Sequence, residues 1–257
     1  MAAATATTRS GTAAASTITI TTTTTTTITI TRTITTTGIR MSTEALSRLL
    51  QLASPALPVG AYSYSGGLEA AAEAGIVRDA SSAERWIGDV LAHSVASLEA
   101  PVLLRLVHAF REGAPAQEWN DRFLASRETA ELRAESVQMG YSLERLLVDL
   151  GLGATGVEEP AFPAAFAFAA ARWQIDPASA LVAYLWAWVE NQVMAAVKAV
   201  PLGQTDGQRI LLSLGSALAG IAQRAAQLED GDLGNFAPGL ALLSSRHETQ
   251  YSRLFRS

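Results

Sequence analysis

Three histidines, His93, His108 and His247, are the side chains best suited to proton transfer or metal binding near neutral pH. None is paired with another at a metal-ligand spacing such as HExxH, and no His-rich tract occurs, so no metal site is expected. The complete absence of cysteine excludes thiolate sites, disulfides and cysteine nucleophiles together. Gly151-Leu152-Gly153-Ala154-Thr155-Gly156 fits the dinucleotide fingerprint by its letters. That fingerprint works only between a strand and a helix N-terminus that receives the pyrophosphate. Here Leu143–Leu150 reads as helix and Glu158-Glu159-Pro160 follows, so two carboxylates would face the phosphates. The run is therefore a helix end and loop. The single lysine, Lys198, has no GxxxxGK[ST] around it, which excludes a P-loop. Neither Ser63 nor Ser65 has the glycine two residues ahead that a nucleophile elbow needs. An enzyme would have to rest on an unrecognised Glu/His acid–base pair, and the sequence displays none. No catalytic residue and no cofactor is expected.

The elements that would position these residues are helical. From Met41 onward apolar residues recur at three and four, with no period-two run bounded by turns. With 49% hydrophobic and 17% charged residues, the chain can bury a large core without disulfides or metal. The expectation is an all-α, single-domain bundle of about eight to ten helices with short loops. A first helix over 43–52 stops before Ser54-Pro55, and a short one over 65–74 is closed by Gly75. Ser81-Ser82-Ala83-Glu84 has capping-box spacing and opens a helix toward Leu98, which Pro101 kinks or restarts. Further helices are expected over 101–111, 115–126, 128–150, 161–172, 177–200 and 206–228. Asp176 with Pro177, and Thr205-Asp206-Gly207-Gln208, supply start signals. Tyr184 and Trp188 share one face of the helix over 177–200, which reads as packing rather than a ligand box.

Residues 1–40 are a low-complexity stretch of Thr, Ala and Ile, expected to lie upstream of a true start at Met41 and outside the fold. In isolation its β-branched alternation favours strand and aggregation. The helical domain is expected over 41–243, with a tail over 244–257. The net charge is −5, and residues 1–40 hold Arg9, Arg32 and Arg40 and no acid, so the body is more acidic still. Nucleic acid is an unsuitable partner, since a polyanion needs a basic footprint. The most apolar window, Ala180–Val189, falls well short of a bilayer span, and no basic amphipathic helix offers a membrane surface a foothold. The N-terminus lacks the pattern of a secretory signal, and the cysteine-free composition suits the cytoplasm.

Three blocks carry a family resemblance. Leu49–Glu73, LLQLASPALPVGAYSYSGGLEAAAE, is similar to the N-terminal signature of the UreF family of urease accessory proteins. Ala196–Leu211, AVKAVPLGQTDGQRIL, resembles that family's Lys-x-x-Pro-Leu-Gln-type helix junction, and His247–Ser257, HETQYSRLFRS, its terminal tail. The resemblance implies a helical homodimer that joins a UreD/UreH-type scaffold and the P-loop GTPase UreG in a chaperone complex. Through that complex it reaches the urease apoprotein and supports nickel insertion. It further implies that Glu69 and Lys198 meet the GTPase, and that His247, Tyr251, Arg253, Leu254, Phe255 and Arg256 meet the scaffold. Pro58, Gly60, Pro201, Gly203 and Gln204 are expected to shape the junctions. Gly66 stands where the family commonly has a polar residue, and the Thr-rich leader is foreign to it. The glycines and proline at Gly231, Gly234, Pro238 and Gly239 predict a tail detached from the bundle and free to move.

Overall fold

The computed structural model describes the backbone of residues 15–22 and 28–35 and the whole of residues 41–257. The chain divides after Ser42 into two units. In the first, β1 (Ala15–Thr22) and β2 (Ile28–Thr35) pair antiparallel, with Ala15 opposite Thr35 and Thr22 opposite Ile28. Alternating Ile and Thr favour that extended backbone. The rest of the expected 1–40 extension lies outside the described residues.

The unit Thr43–Ser257 is all-helical, with ten α-helices and no strand among its described residues. They are α1 (Thr43–Ala53), α2 (Leu68–Glu73), α3 (Ala80–Val90), α4 (Ala100–Glu112) and α5 (Gln117–Ala125). Then follow α6 (Ala130–Asp149), α7 (Phe162–Arg172), α8 (Pro177–Ala199), α9 (Gln204–Ala225) and α10 (Pro238–His247). Helix α1 ends ahead of Ser54-Pro55 as expected, and Gly75 takes a φ of +71° after α2. Asp176 caps α8 by accepting from Ser179 N at 3.0 Å, with Pro177 in the first turn.

Other boundaries differ from expectation for identifiable reasons. The cap of α3 is Asp79, which accepts from Ser82 N at 2.8 Å while Ser82 Oγ reaches back to Asp79 N at 3.1 Å. Ser82 thus closes the box at the third helical position and is not part of its opening. Helix α9 starts at Gln204 behind Gly203, with no side-chain cap, so Thr205 lies inside the helix. Pro101 does not restart the chain: α3 and α4 are bridged by a π-helical stretch, Leu91–Glu99, in one 33-residue helix. Proline has no N–H to offer the carbonyl of Ser97 four residues back. Gly234 N fills that place at 3.3 Å, and Phe236 N takes the carbonyl of His93 at 3.1 Å.

The core lies where α4, α7 and α8 meet, around Leu103, Leu106, Phe166, Leu181, Leu185 and Val189. Helix α7 buries Ala164, Ala165, Ala167, Ala169 and Ala170, covering most of its circumference, the pattern of a central helix. Ala80–Glu112 and Pro177–Ala199 are long and apolar enough to cross a membrane by length and composition, more than the Ala180–Val189 window suggested. Their most apolar windows are 72% and 56% buried within the bundle.

Helix α6 crosses the start of α7 at Gly140, where a Cβ would sit 2.0 Å from the carbonyl oxygen of Pro160 and 2.8 Å from Phe162 N. Backbone on the far side cannot yield as a side chain would. Gly140→Ala is expected to destabilise the unit by about 3 kcal/mol, the upper part of the overpacking range, read as an earlier midpoint in denaturant at unchanged slope. An unchanged midpoint would show that this crossing is looser than its geometry indicates.

Candidate functional site

The residues singled out for partner binding converge on one end of the bundle, where α10 and the chain after it lie against α2 and α6. The approach is close because Gly67 is a glycine. Its φ is +80°, and a Cβ there would stand 3.0 Å from Leu240 Cδ1 and 3.6 Å from Ser244 N. On the other flank Thr129, the N-cap of α6, shares a 2.7 Å hydrogen bond with Ser244. The Glu248 carboxylate accepts from Ala130 N at 2.9 Å and Glu131 N at 3.3 Å, placing negative charge where free N–H groups gather.

Between these contacts His247 is 0% exposed and bridges two carboxylates. Its Nδ1 lies 2.7 Å from Glu131 Oε2 and its Nε2 3.3 Å from Glu69 Oε2, so both ring nitrogens face carboxylate oxygens. Arg253 donates to Glu131 Oε1 at 2.6 Å. Glu69, 6% exposed, also accepts Leu254 N at 2.7 Å and Phe255 N at 2.9 Å. Its two oxygens therefore hold the turn of chain at Leu254-Phe255. Beyond it, Arg256 N donates to the Ser63 carbonyl at 2.8 Å. The Ser257 backbone oxygen accepts from Ser65 N at 3.0 Å and from the Ser65 hydroxyl.

Beneath the seated tail is a cavity of about 220 Å³ whose walls include Glu99, Arg127, Glu135, Tyr184, Gln192 and Phe255. Arg127 and Glu99 pair at 3.4 Å, and the Tyr184 hydroxyl donates to Glu99. Burial, with Glu99 adding to it, pushes the Tyr184 hydroxyl well above its ordinary range. Burial also raises Tyr64, whose hydroxyl donates to Gln138 Oε1 at 2.5 Å, against the opposing pull of Arg256. On the outer side, Lys198 Nζ stands 5.9 Å from the Tyr62 ring centre and 5.6 Å from that of Phe255, at a shallow pocket lined also by Ser63, Leu254 and Arg256.

This geometry corrects the expectation of a detached tail. Residues 244–247 belong to α10, across the expected boundary, and Ser244, His247 and Ser257 are wholly buried. The glycines and proline upstream turn the chain back onto the bundle instead of releasing it. The expected contact residues separate into two groups. Tyr251 is fully exposed, Leu254 is 71% exposed, and Arg253, Arg256 and Lys198 are also exposed, whereas Glu69, His247 and Phe255 face inward. Of the junction residues, Gly60 adopts a φ of +78° at the turn into Ala61–Ser63, and Pro58, Pro201, Gly203 and Gln204 are exposed.

Sequence reasoning missed Ser65, Glu131, Glu135 and Ser257. An acid in the first turn after Thr129 is visible locally, but its pairing with a histidine 116 residues away leaves no periodic trace. Among the described residues, no group of three or more His, Asp or Glu side chains is arranged to hold a metal ion.

The family model described as UreF matches residues 77–215, from ahead of α3 into α9. A protein of Azoarcus sp. (strain BH72), named urease accessory protein UreF, is 59% identical over 223 residues, spanning 82% of this chain and 95% of its own length. Proteins of the same name from Janthinobacterium sp. (strain Marseille) and Dechloromonas aromatica (strain RCB) are 53% and 54% identical. They span 84% and 82% of this chain, and 100% and 97% of their own lengths. With three sequence blocks, an all-helical body and relatives matched over nearly their full length in agreement, the chain belongs to the UreF family of urease accessory proteins.

Proposed function

We propose that this chain is an adaptor that joins a UreD/UreH-type scaffold to the GTPase UreG while nickel is inserted into urease, and that it works in the cytoplasm as a homodimer. The observation that carries this reading is the tail seat, which presents Tyr251, Arg253 and Leu254 outward on a surface continuous with Lys198. Exposed aromatic and aliphatic side chains beside arginines suit a protein partner, and the same groups would gain nothing from facing water. The inward group, Glu69, His247 and Phe255, serves by holding that surface in place. Glu69 thus acts on a partner through the tail, and Lys198 is the member of the GTPase pair able to touch one directly.

His247 with two carboxylates is the one constellation that invites an enzymatic reading. Both of its ring nitrogens face carboxylate oxygens in a wholly buried position, leaving none to meet a substrate. Adaptor chemistry fits that arrangement better than acid–base catalysis does.

Because Lys198 is exposed at the last turn of α8, Lys198→Ala should leave the fold intact and reduce stimulation of the GTPase several-fold. The scale corresponds to about 1 kcal/mol for a cation held over aromatic rings at a surface. Pull-down with UreG and urease activation in cells are the readouts. Normal values for both would leave Lys198 with only the helix-end charge effect. The broader reading is tested by co-purifying the chain with its two proposed partners.

A further inference from the structure

Helix α6 carries most of its charges on its two sides and not on its outward face. At about 100° per residue, Glu131 and Glu135 fall on one flank and Arg133 and Glu144 on the other. The first flank holds the tail: Arg253 donates to Glu131 at 2.6 Å, and the Ser257 hydroxyl donates to Glu135 at 2.7 Å. The second flank holds the chain that follows the helix. Arg133 donates to Glu159 Oε1 at 3.1 Å, and Glu144 accepts from Thr155 N at 2.9 Å. Between the flanks run Ala134, Gln138, Tyr141, Arg145 and Val148, spaced by four, three, four and three, and all exposed. That spacing keeps them on one narrow stripe about 20 Å long. Tyr141 is 60% exposed and Val148 49%, and Arg145 is the only charge among the five. The outward face of an amphipathic helix is ordinarily filled with charged and polar side chains, and here an aromatic ring and a valine hold that place.

We propose that this stripe of α6 is the second part of the surface that takes the UreD/UreH-type scaffold, with Tyr141 as its anchor and Arg145 and Val148 beside it. This rests on the reading of the tail as the partner-binding segment. The stripe begins where the tail ends. Arg253 meets Glu131 and Ser257 meets Glu135, so the tail runs in the direction of α6. Gln138, the next position along, accepts from the Tyr64 hydroxyl, and Tyr141 follows one turn farther on. Tyr251–Ser257 offer a partner little area of their own. A specific interface uses roughly 20–30 residues a side, and Phe255 and Ser257 within this short segment are buried. The rest of the contact has to come from surface alongside the tail. On one side stands Lys198, the residue assigned to UreG, next to the Phe255 ring. On the α6 side stands an exposed tyrosine with an arginine one turn away, two of the residue types that dominate the energy of protein interfaces.

Tyr141→Gln combined with Val148→Gln puts good helix formers at positions already in water, so circular dichroism should match that of the parent. In a titrated pull-down the apparent affinity of this variant for the UreD/UreH-type protein should fall by about tenfold, the scale of losing one anchoring side chain. In the unaltered chain, hydroxyl-radical labelling of the Tyr141 ring, read by mass spectrometry, should fall several-fold once the scaffold is bound. Unchanged labelling of Tyr141 in the complex overturns the inference whatever the variant does, and capture of the scaffold at the parent's affinity overturns it as well. A variant that sediments as a smaller species than the parent assigns the stripe to a second copy of the chain and overturns it too. A chain ending at Gln250 separates this inference from the reading it rests on. If that chain loses the scaffold while the α6 variant keeps it, the tail reading stands and the stripe's role falls. If the full chain captures no scaffold, both fall together.

Discussion

Replacing His247 with alanine is expected to cost the folded protein about 3 kcal/mol, the upper end of the range for leaving a buried polar group without its hydrogen-bond partner. For a helical unit of this size that is a fall in melting temperature of roughly 6–12 °C. The imidazole is the one group that touches both Glu69 and Glu131, at 3.3 Å and 2.7 Å. Without it two carboxylates face each other across an empty site, with Arg253 left to serve Glu131 and two tail N–H groups left to serve Glu69. Adding Glu131→Gln to the His247→Ala variant should recover part of the loss, because it removes one of the stranded charges. Calorimetry of the two single variants and the double variant gives the coupling directly. A melting temperature within a degree of the parent for His247→Ala would mean that the histidine bridge contributes nothing to the seat.

The second large effect is expected from removing Tyr251–Ser257 while keeping His247 and Glu248. Cutting earlier, after Ser245, would take away the histidine bridge and the Glu248 carboxylate that caps α6, and would confuse loss of folding with loss of binding. A chain ending at Gln250 keeps both. It should remain helical, with a modest loss of stability from the two N–H donors withdrawn from Glu69. Its apparent affinity for the UreD/UreH-type partner should fall by about two orders of magnitude, the scale of losing two or three anchoring side chains. Circular dichroism checks the first expectation and a titrated pull-down the second. Full-strength capture by the shortened chain would leave the tail as a structural plug alone.

How far the sequence discloses this molecule can be followed residue by residue. The start of α8 at Asp176-Pro177 and the end of α2 at Gly75 were legible because a cap or a left-handed glycine acts within a few residues. The π-helical stretch was not, because its carbonyls are met by Gly234 and Phe236 from a distant loop. Helix α10 went unseen for a related reason: Pro238 and Gly239 read as breakers, whereas proline in a first turn gives up no hydrogen bond. Glu69 shows the limit most clearly. By position it is an acid in the first turn of a short helix, a role its residue type satisfies without further partners. Its carboxylate instead binds a histidine 178 residues away and backbone at Leu254 and Phe255. Resemblance marked it as a partner contact, and only the fold shows which residues its carboxylate holds.

The central claim, that this chain activates urease by bridging two partners through its tail face, is tested most directly by complementation in a strain lacking the gene, with co-purification from the same cells. The full chain is expected to restore urease activity and to bring down both the UreD/UreH-type protein and UreG, whereas the chain ending at Gln250 restores neither activity nor capture. Restoration of full activity by the shortened chain, or by the full chain without either partner in the purified complex, would contradict it.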